Sequence, residues 1–207
     1  MVGRIEVITG GMFCGKTEEM IRRLRRAKYG RKPVAAYKPA KDSRYHLTDV
    51  VSHAGAAFEA VPVQSSAELL KQASMLGPGA VIGIDEAQFF DLDLVDVVRA
   101  LATAGQRVII AGLDLDFAGK PFGPMPLLMA EAEEVFKVHA VCLVCGGDAT
   151  RSQRITASTE TVLVGGAKDY EARCRAHWSP RPLPPSQWDQ VLLSDAANAL
   201  SVFQEEA

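Results

Sequence analysis

The chain has 207 residues, 48% of them hydrophobic and 23% charged, an ordinary globular composition with enough length for a sizeable core. Its formal net charge of -2 and isoelectric point near 6.1 weigh against a dedicated nucleic-acid binder, whose domain is usually distinctly basic. No apolar run approaches the roughly 20 residues that span a bilayer, and the opening MVGRIEVITGG holds no apolar stretch long enough for export, so a cytosolic protein without membrane association is expected.

In chain order, RIEVIT at 4–9 is rich in β-branched residues and predicts a strand. It runs into GGMFCGKT, after which TEEMIRRLRRAKYG sets Met20, Ile21, Leu24 and Ala27 at helical spacing. PVAAYK reads as a second strand, and SSAELLKQASML as a helix opened by a Ser65-x-x-Glu68 capping box. AVIGIDE is a buried strand, Asp91 and LDLVDVVRALATAG make a helix ended by glycine, and QRVIIAG is another strand. Strands alternating with helices imply a mostly parallel sheet covered on both faces. Near residue 140 the alternation stops. Beyond it CLVCGGDATRSQRI, TETVLVGG and RCRAHW suggest a short β-rich appendage. The last stretch carries four prolines in six residues, which predicts extended backbone and then a weak helix.

Gly10, Gly11, Met12, Phe13, Cys14, Gly15, Lys16 and Thr17 satisfy G-x-x-x-x-G-K-[ST] between a predicted strand and helix. In that setting backbone N–H groups curl around phosphate oxygens at a helix N-terminus. Lys16 would reach the β and γ phosphates of ATP, and Thr17 would ligate Mg²⁺; the bland alternative is a glycine turn capping a helix. Asp85, closing an apolar run, is the matching Walker-B candidate, and Glu86 beside it is a carboxylate able to accept a hydroxyl proton. Alternation along a strand points Glu86 away from Asp85 unless the strand ends there, and the pair could simply close a strand. On the polar loop KPAKDSRY, Asp42 offers a hold on metal-bound water and Arg44 a positive charge for the moving phosphoryl group, although loops of mixed charge are commonly just solvated. RRLRRAKYGRK, with seven cations in eleven residues, is read as a solvated helix face, and Cys14 is given no catalytic role.

Cys142-x-x-Cys145 and Cys174-x-x-His177, separated by 28 residues, have the spacing of two knuckles on one tetrahedral zinc ion. Four protein ligands leave no place for water, so the ion is expected to be structural. It would clamp the intervening loop as a lid over a second substrate, with Tyr170 as an amphipathic contact. The expected fold is therefore α/β, a P-loop NTPase sheet of RecA-like kind over 1–139, a zinc-clamped lid over 140–178 and a proline-rich tail over 179–207. His46, His53 and His139 lack partners at ligand spacing.

With GGMFCGKT, KPAKDSRY, IDEAQFF, GKPFG, CLVCGGDATRSQRI and VGGAKDYEARCRAH in this order, the chain closely resembles the type II thymidine kinases from about residue 3 to residue 178. The resemblance implies transfer of the γ-phosphoryl group of ATP to the 5′-hydroxyl of thymidine or deoxyuridine in deoxynucleotide salvage. Glu86 would be the general base, with Asp85, Ala87 and Gln88 on the nucleotide and metal side of the same motif and Asp42, Ser43 and Arg44 as metal and phosphate contacts. Met12, Leu113, Phe117, Phe122, Ser152 and Tyr170 would surround the nucleoside, and backbone groups of Thr161, Val162, Leu163, Val164 and Gly165 would bond the thymine edge. Recognition of that kind rejects cytosine, because each buried group left unsatisfied costs roughly 1–3 kcal/mol. The resemblance also implies Mg²⁺ with ATP, structural Zn²⁺, inhibition by thymidine triphosphate and a homotetramer.

Two departures stand out. His177 occupies the fourth ligand position where animal members have cysteine, and imidazole is a normal zinc ligand. Ser152 stands where many members have threonine near the thymine methyl, which predicts room for larger C5 substituents. The competing classes are a P-loop switch or motor ATPase, which would turn over ATP without nucleoside, and a zinc-ribbon nucleic-acid module, whose binding would be salt-sensitive.

Overall fold

The computed structural model describes residues 3–40, 49–51, 57–156 and 166–181. In chain order they form β1 (Arg4–Thr9), α1 (Lys16–Tyr29), β2 (Val34–Pro39), β3 (Asp49–Val51), β4 (Ala57–Glu59), β5 (Val61–Val63), α2 (Ser66–Ser74) and β6 (Val81–Ile84). There follow α3 (Leu94–Thr103), β7 (Arg107–Gly112), α4 (Met125–Glu131), β8 (Glu134–Lys137), β9 (Ala140–Val141), β10 (Asp148–Ala149), β11 (Arg151–Arg154) and β12 (Tyr170–Arg173). Six strands form one sheet in the order β5-β2-β6-β7-β1-β8, every pairing parallel. β3–β4, β9–β10 and β11–β12 are small antiparallel ribbons.

Because strand side chains alternate, the central strands sort their residues by parity between two cores. Ile5, Val7, Val108 and Ile110 share one with Leu69 of α2, Leu94, Val98 and Leu101 of α3 and Leu128 of α4. Ile8, Ile109 and Ala111 share the other with Met20, Ile21, Leu24 and Ala27, the stripe expected on α1. α1 lies so close to β6 that a Cβ on Gly83 would fall 2.7 Å from Leu24 Cδ1. Burying a side chain of that kind is worth about 1.5–3 kcal/mol.

One buried residue of β1 is charged. Glu6 on β1 is fully buried and accepts from Arg107 Nε at 2.6 Å, Arg107 Nη2 at 2.8 Å and Arg23 Nη1 at 2.6 Å, with Arg4 Nε 2.9 Å away. The run RRLRRAKYGRK is a solvated face, as read, at six of its seven cations; Arg23 is the exception and points inward, pairing also with Glu19 and Glu134, because a buried carboxylate needs a cation that helix spacing can deliver.

At α2 the Ser65 hydroxyl accepts the Glu68 N–H at 3.2 Å, as the capping box predicts. The Glu68 carboxylate, however, takes the N–H of Gln64 at 2.8 Å, one residue earlier than the motif prescribes. α4 and β8 were not foreseen. α4 has Pro124 at its N-cap and Pro126 in its first turn, tolerated because those N–H groups lack intrahelical acceptors in any case. β3, β4 and β5 have three residues each, too few for a period to show. Asp42, Ser43, Arg44, His46, His53, the lid strand at 161–165 and the tail from 182 onward lie outside the described residues.

Candidate active site and zinc-ligand cluster

β1, β6 and β7 run parallel, so their carboxyl ends meet at one edge of the sheet, where open α/β folds bind ligands. The Thr9 hydroxyl fixes that edge by donating to the Gly112 carbonyl at 3.1 Å. The phosphate-loop motif turns from β1 into α1 here. Gly10 has φ 144°, and a Cβ on it would sit 2.2 Å from the Val138 carbonyl oxygen; Gly15, at φ 83°, takes the left-handed conformation that starts the helix. Phe13 is also left-handed, at φ 64°. Lys16 Nζ donates to the Gly11 carbonyl at 2.6 Å, and Cys14 Sγ to the same oxygen at 3.0 Å.

Thr17 of the phosphate loop and Asp85, the Walker-B candidate, come together: the Thr17 hydroxyl donates to Asp85 Oδ2 at 3.1 Å. Burial, and after it the negative charge of Glu86, pushes the Asp85 carboxyl up to about 7, against the Glu86 N–H, the Thr17 hydroxyl and Lys16, which pull it down. A hydroxyl and a buried carboxylate at the head of a phosphate loop are hard oxygen ligands, a donor set that fits Mg²⁺ and in which a cation would favour the carboxylate.

β6 ends before Glu86, which turns left-handed at φ 51° and opens a short 3₁₀ turn over Ala87–Phe89. Gln88, buried in that turn, donates through Nε2 to Glu86 Oε2 and accepts the Leu113 N–H at 3.0 Å through Oε1. Phe122 packs edge-on against Phe89 at 5.6 Å between centroids, and its N–H is held by the Asp114 carbonyl. Glu86, Gln88 and Leu113 are thus one bonded group, with Phe122 held beside it by Phe89 and Asp114. Met12 and Ser152 form a second, the Met12 N–H donating to Ser152 Oγ at 3.0 Å. Phe117 and Tyr170 form a third, joined by Arg154, a residue the sequence reading passed over; so too were the buried Asp114 and its partner Lys137, 2.6 Å apart. Only the folded chain signals these, since 37 positions separate Phe117 from Arg154 in the sequence.

The four cysteine and histidine ligands converge, with one ligand atom from each of Cys142, Cys145, Cys174 and His177 all within 4.8 Å of one another. Cys142 Sγ lies 3.8 Å from His177 Nδ1, and Cys145 Sγ lies 3.9 Å from Cys174 Sγ. A tetrahedron of bonds about 2.3 Å long has edges of roughly 3.7 Å, so the cluster has the size of a zinc cage. Burial alone would raise the Cys142 thiol, but N–H donors of Cys174, Cys145 and Val144 and the His177 ring bring it down to about 6. Cys174 is pushed up by burial and by its hydrogen bond with Cys142, so a cation is what would let these thiols ionise together. Phe13 and Cys14 of the phosphate loop pack against Cys142, Ala149 and Ala172 of this unit. His139, expected to stand apart from the ligands, faces Asp148 Oδ2 at 3.3 Å on the surface.

The all-parallel sheet, the phosphate loop at its edge and the Thr17–Asp85 pair define the chain as a P-loop NTPase-class nucleotide-binding protein carrying a Cys3His group. A family model described as thymidine kinase matches residues 3–178. Thymidine kinases of Rhodothermus sp. and Coprothermobacter proteolyticus are each 53% identical, over 96% and 84% of this chain and 91% and 90% of theirs. That of Bacteroides thetaiotaomicron is 55% identical over 84% of this chain and 85% of its own. The chain belongs to the thymidine kinase family.

Proposed function

We propose that this protein is an ATP:thymidine 5′-phosphotransferase, forming thymidine monophosphate and ADP and accepting deoxyuridine as well. The observation that carries the reading is family membership across residues 3–178, the span that holds the phosphate loop, the Asp85–Glu86 turn and the Cys3His group.

In this reading the loop from Gly10 to Gly15 cradles the phosphates, and Lys16 exchanges its bond to the Gly11 carbonyl for phosphate oxygens. Thr17 and Asp85 would hold Mg²⁺, which when bound with ATP neutralises charge on the phosphates. Glu86 takes the proton of the 5′-hydroxyl, with Gln88 fixing its carboxylate and Ala87 filling the turn. Met12, Leu113, Phe117, Phe122, Ser152 and Tyr170 line the nucleoside side. Asp42, Ser43 and Arg44 act on the phosphates and metal, and residues 161–165 on the thymine edge, on the strength of the motif resemblance alone. Cys142, Cys145, Cys174 and His177 would hold Zn²⁺ as a structural clamp on a lid over 140–178, apart from a nucleotide-binding body over 1–139 and a tail over 179–207.

The resemblance further supports a homotetramer inhibited by thymidine triphosphate and working in the cytosol. The net charge of -2 and the inward pairing of Arg23 support a protein that binds no nucleic acid. The deciding experiment is MgATP-dependent formation of thymidine monophosphate by purified protein, beside deoxycytidine and a control without nucleoside. Thymidine-dependent product is expected; ATP consumption that ignores nucleoside would replace the kinase with a switch or motor ATPase.

A further inference from the structure

We infer that Arg154 is a positioning residue for the nucleoside pocket, pinning Phe117 and Tyr170 together so that the two rings meet the nucleoside as one preset surface. The inference rests on the kinase reading above, which puts both rings beside the nucleoside. Arg154 is completely buried. Its guanidinium carbon lies 3.6 Å from the centroid of the Phe117 ring and 5.2 Å from that of Tyr170, and its Nη2 donates to the Tyr170 hydroxyl at 2.6 Å.

The three residues come from different parts of the fold. Phe117 lies on the loop that follows β7 of the main sheet, Arg154 ends β11, and Tyr170 opens β12 in register with it. One side chain therefore ties the sheet's active-site loop to the ribbon that flanks the lid segment. Its own backbone is fixed from behind: the Gln153 amide donates to the carbonyls of Arg154 and Arg181, each at 3.0 Å, and accepts the Ser179 N–H at 2.8 Å.

Filling this volume does not require a charge, and burying one is costly, so the guanidinium is to be explained by what it does there. A planar guanidinium can lie flat on one ring while donating to the hydroxyl of another; an ammonium cannot do both. Two walls held in place beforehand spare the nucleoside the cost of ordering them, a saving that ATP does not share.

The test uses the full chain, varying thymidine and ATP separately, with thermal melts and calorimetric thymidine binding alongside. Arg154→Gln and Arg154→Lys are expected to raise the thymidine KM roughly tenfold while the ATP KM stays within about twofold, with the smaller rise in the lysine variant, whose ammonium can reach the Tyr170 hydroxyl. Tyr170→Phe should raise the thymidine KM too, and by less than the sum when combined with Arg154→Lys, as expected for residues in contact. Equal rises in both KM values, or a lowered melting temperature with an unchanged thymidine KM, overturn the proposal and leave Arg154 a support of the fold. If neither Arg154 variant folds, Tyr170→Phe decides: a raised thymidine KM upholds the pairing and an unchanged one overturns it. Wild-type protein that handles ATP but binds no thymidine would instead sink the kinase reading, before any variant is compared.

Discussion

Glu86 sits in a left-handed conformation, φ 51° and ψ 40°, that costs a residue with a Cβ roughly 1–2 kcal/mol. Bonds on both sides offset the cost: the Glu86 carbonyl accepts the Phe89 N–H at 3.1 Å, and its carboxylate accepts the Gln88 amide. The turn frees Glu86 from strand alternation, so adjacent carboxylates can take different tasks. Glu86→Gln is expected to lower kcat with thymidine by roughly 10²–10⁴-fold while the melting temperature holds, as steady-state assays and melts would show. At Ser152 the hydroxyl satisfies the Met12 N–H inside the phosphate loop. Ser152→Ala should therefore lose about 1–3 kcal/mol of stability in denaturant titrations, whereas Ser152→Thr keeps the acceptor. Comparing 5-ethyl-deoxyuridine turnover between wild type and Ser152→Thr then isolates the missing methyl: a higher relative rate in the wild type is expected, and equal ratios would end that idea.

At the scale of elements, the Glu6 network joins β1, α1, β7 and the edge strand β8 through ion pairs. Without Arg107 the buried Glu6 carboxylate keeps only Arg23 and Arg4, so Arg107→Ala should cost about 1–3 kcal/mol in urea unfolding. Burial raises the Glu6 carboxyl, but hydrogen bonds from Arg107 and Arg23 outweigh it and hold it below the ordinary value. On α1, the hydrogen bond from Arg22 is the largest cause lowering Glu19 to about 2; burial opposes it and Arg23 adds to it. Both carboxyls bind fewer protons in the folded chain than in the unfolded one. The contribution of Glu19 is therefore complete above about 4.5 and lost as the pH falls toward about 2, and that of Glu6 is lost in the same direction. Melting temperatures measured down that range should fall more steeply for wild type than for Glu19→Gln; parallel curves would remove Glu19 from the account.

For the whole molecule, the Cys3His group and the phosphate loop are physically one neighbourhood, through the packing of Phe13 and Cys14 on Cys142 and the Met12–Ser152 bond. A strong chelator should therefore weaken nucleotide binding as well as open the segment between the knuckles. Purified protein is expected to carry a single zinc ion per chain by elemental analysis. Its removal should expose residues 146–173 to protease and lower ATP affinity measured by calorimetry; intact ATP affinity would show the two sites to be independent.

The elements with a period were legible in the sequence because their residues report burial directly. Met20, Ile21, Leu24 and Ala27 face one core as helical spacing requires, and RIEVIT and QRVIIAG alternate between two. The phosphate loop, Asp85–Glu86 and the metal knuckles were legible too, since their chemistry depends on residues a few positions apart. β3, β4 and β5 were too short to show a period, and α4 and β8 were masked by two prolines and an edge position. What the tertiary structure alone decided is everything that depends on distant partners. Glu6 needs Arg107 from β7, Gln88 needs the Leu113 amide, and Arg154 reaches both Phe117 and Tyr170. A sequence carries the identity of each such group, but only the packed sheet and its ribbon bring a buried charge to the partners that stabilise it.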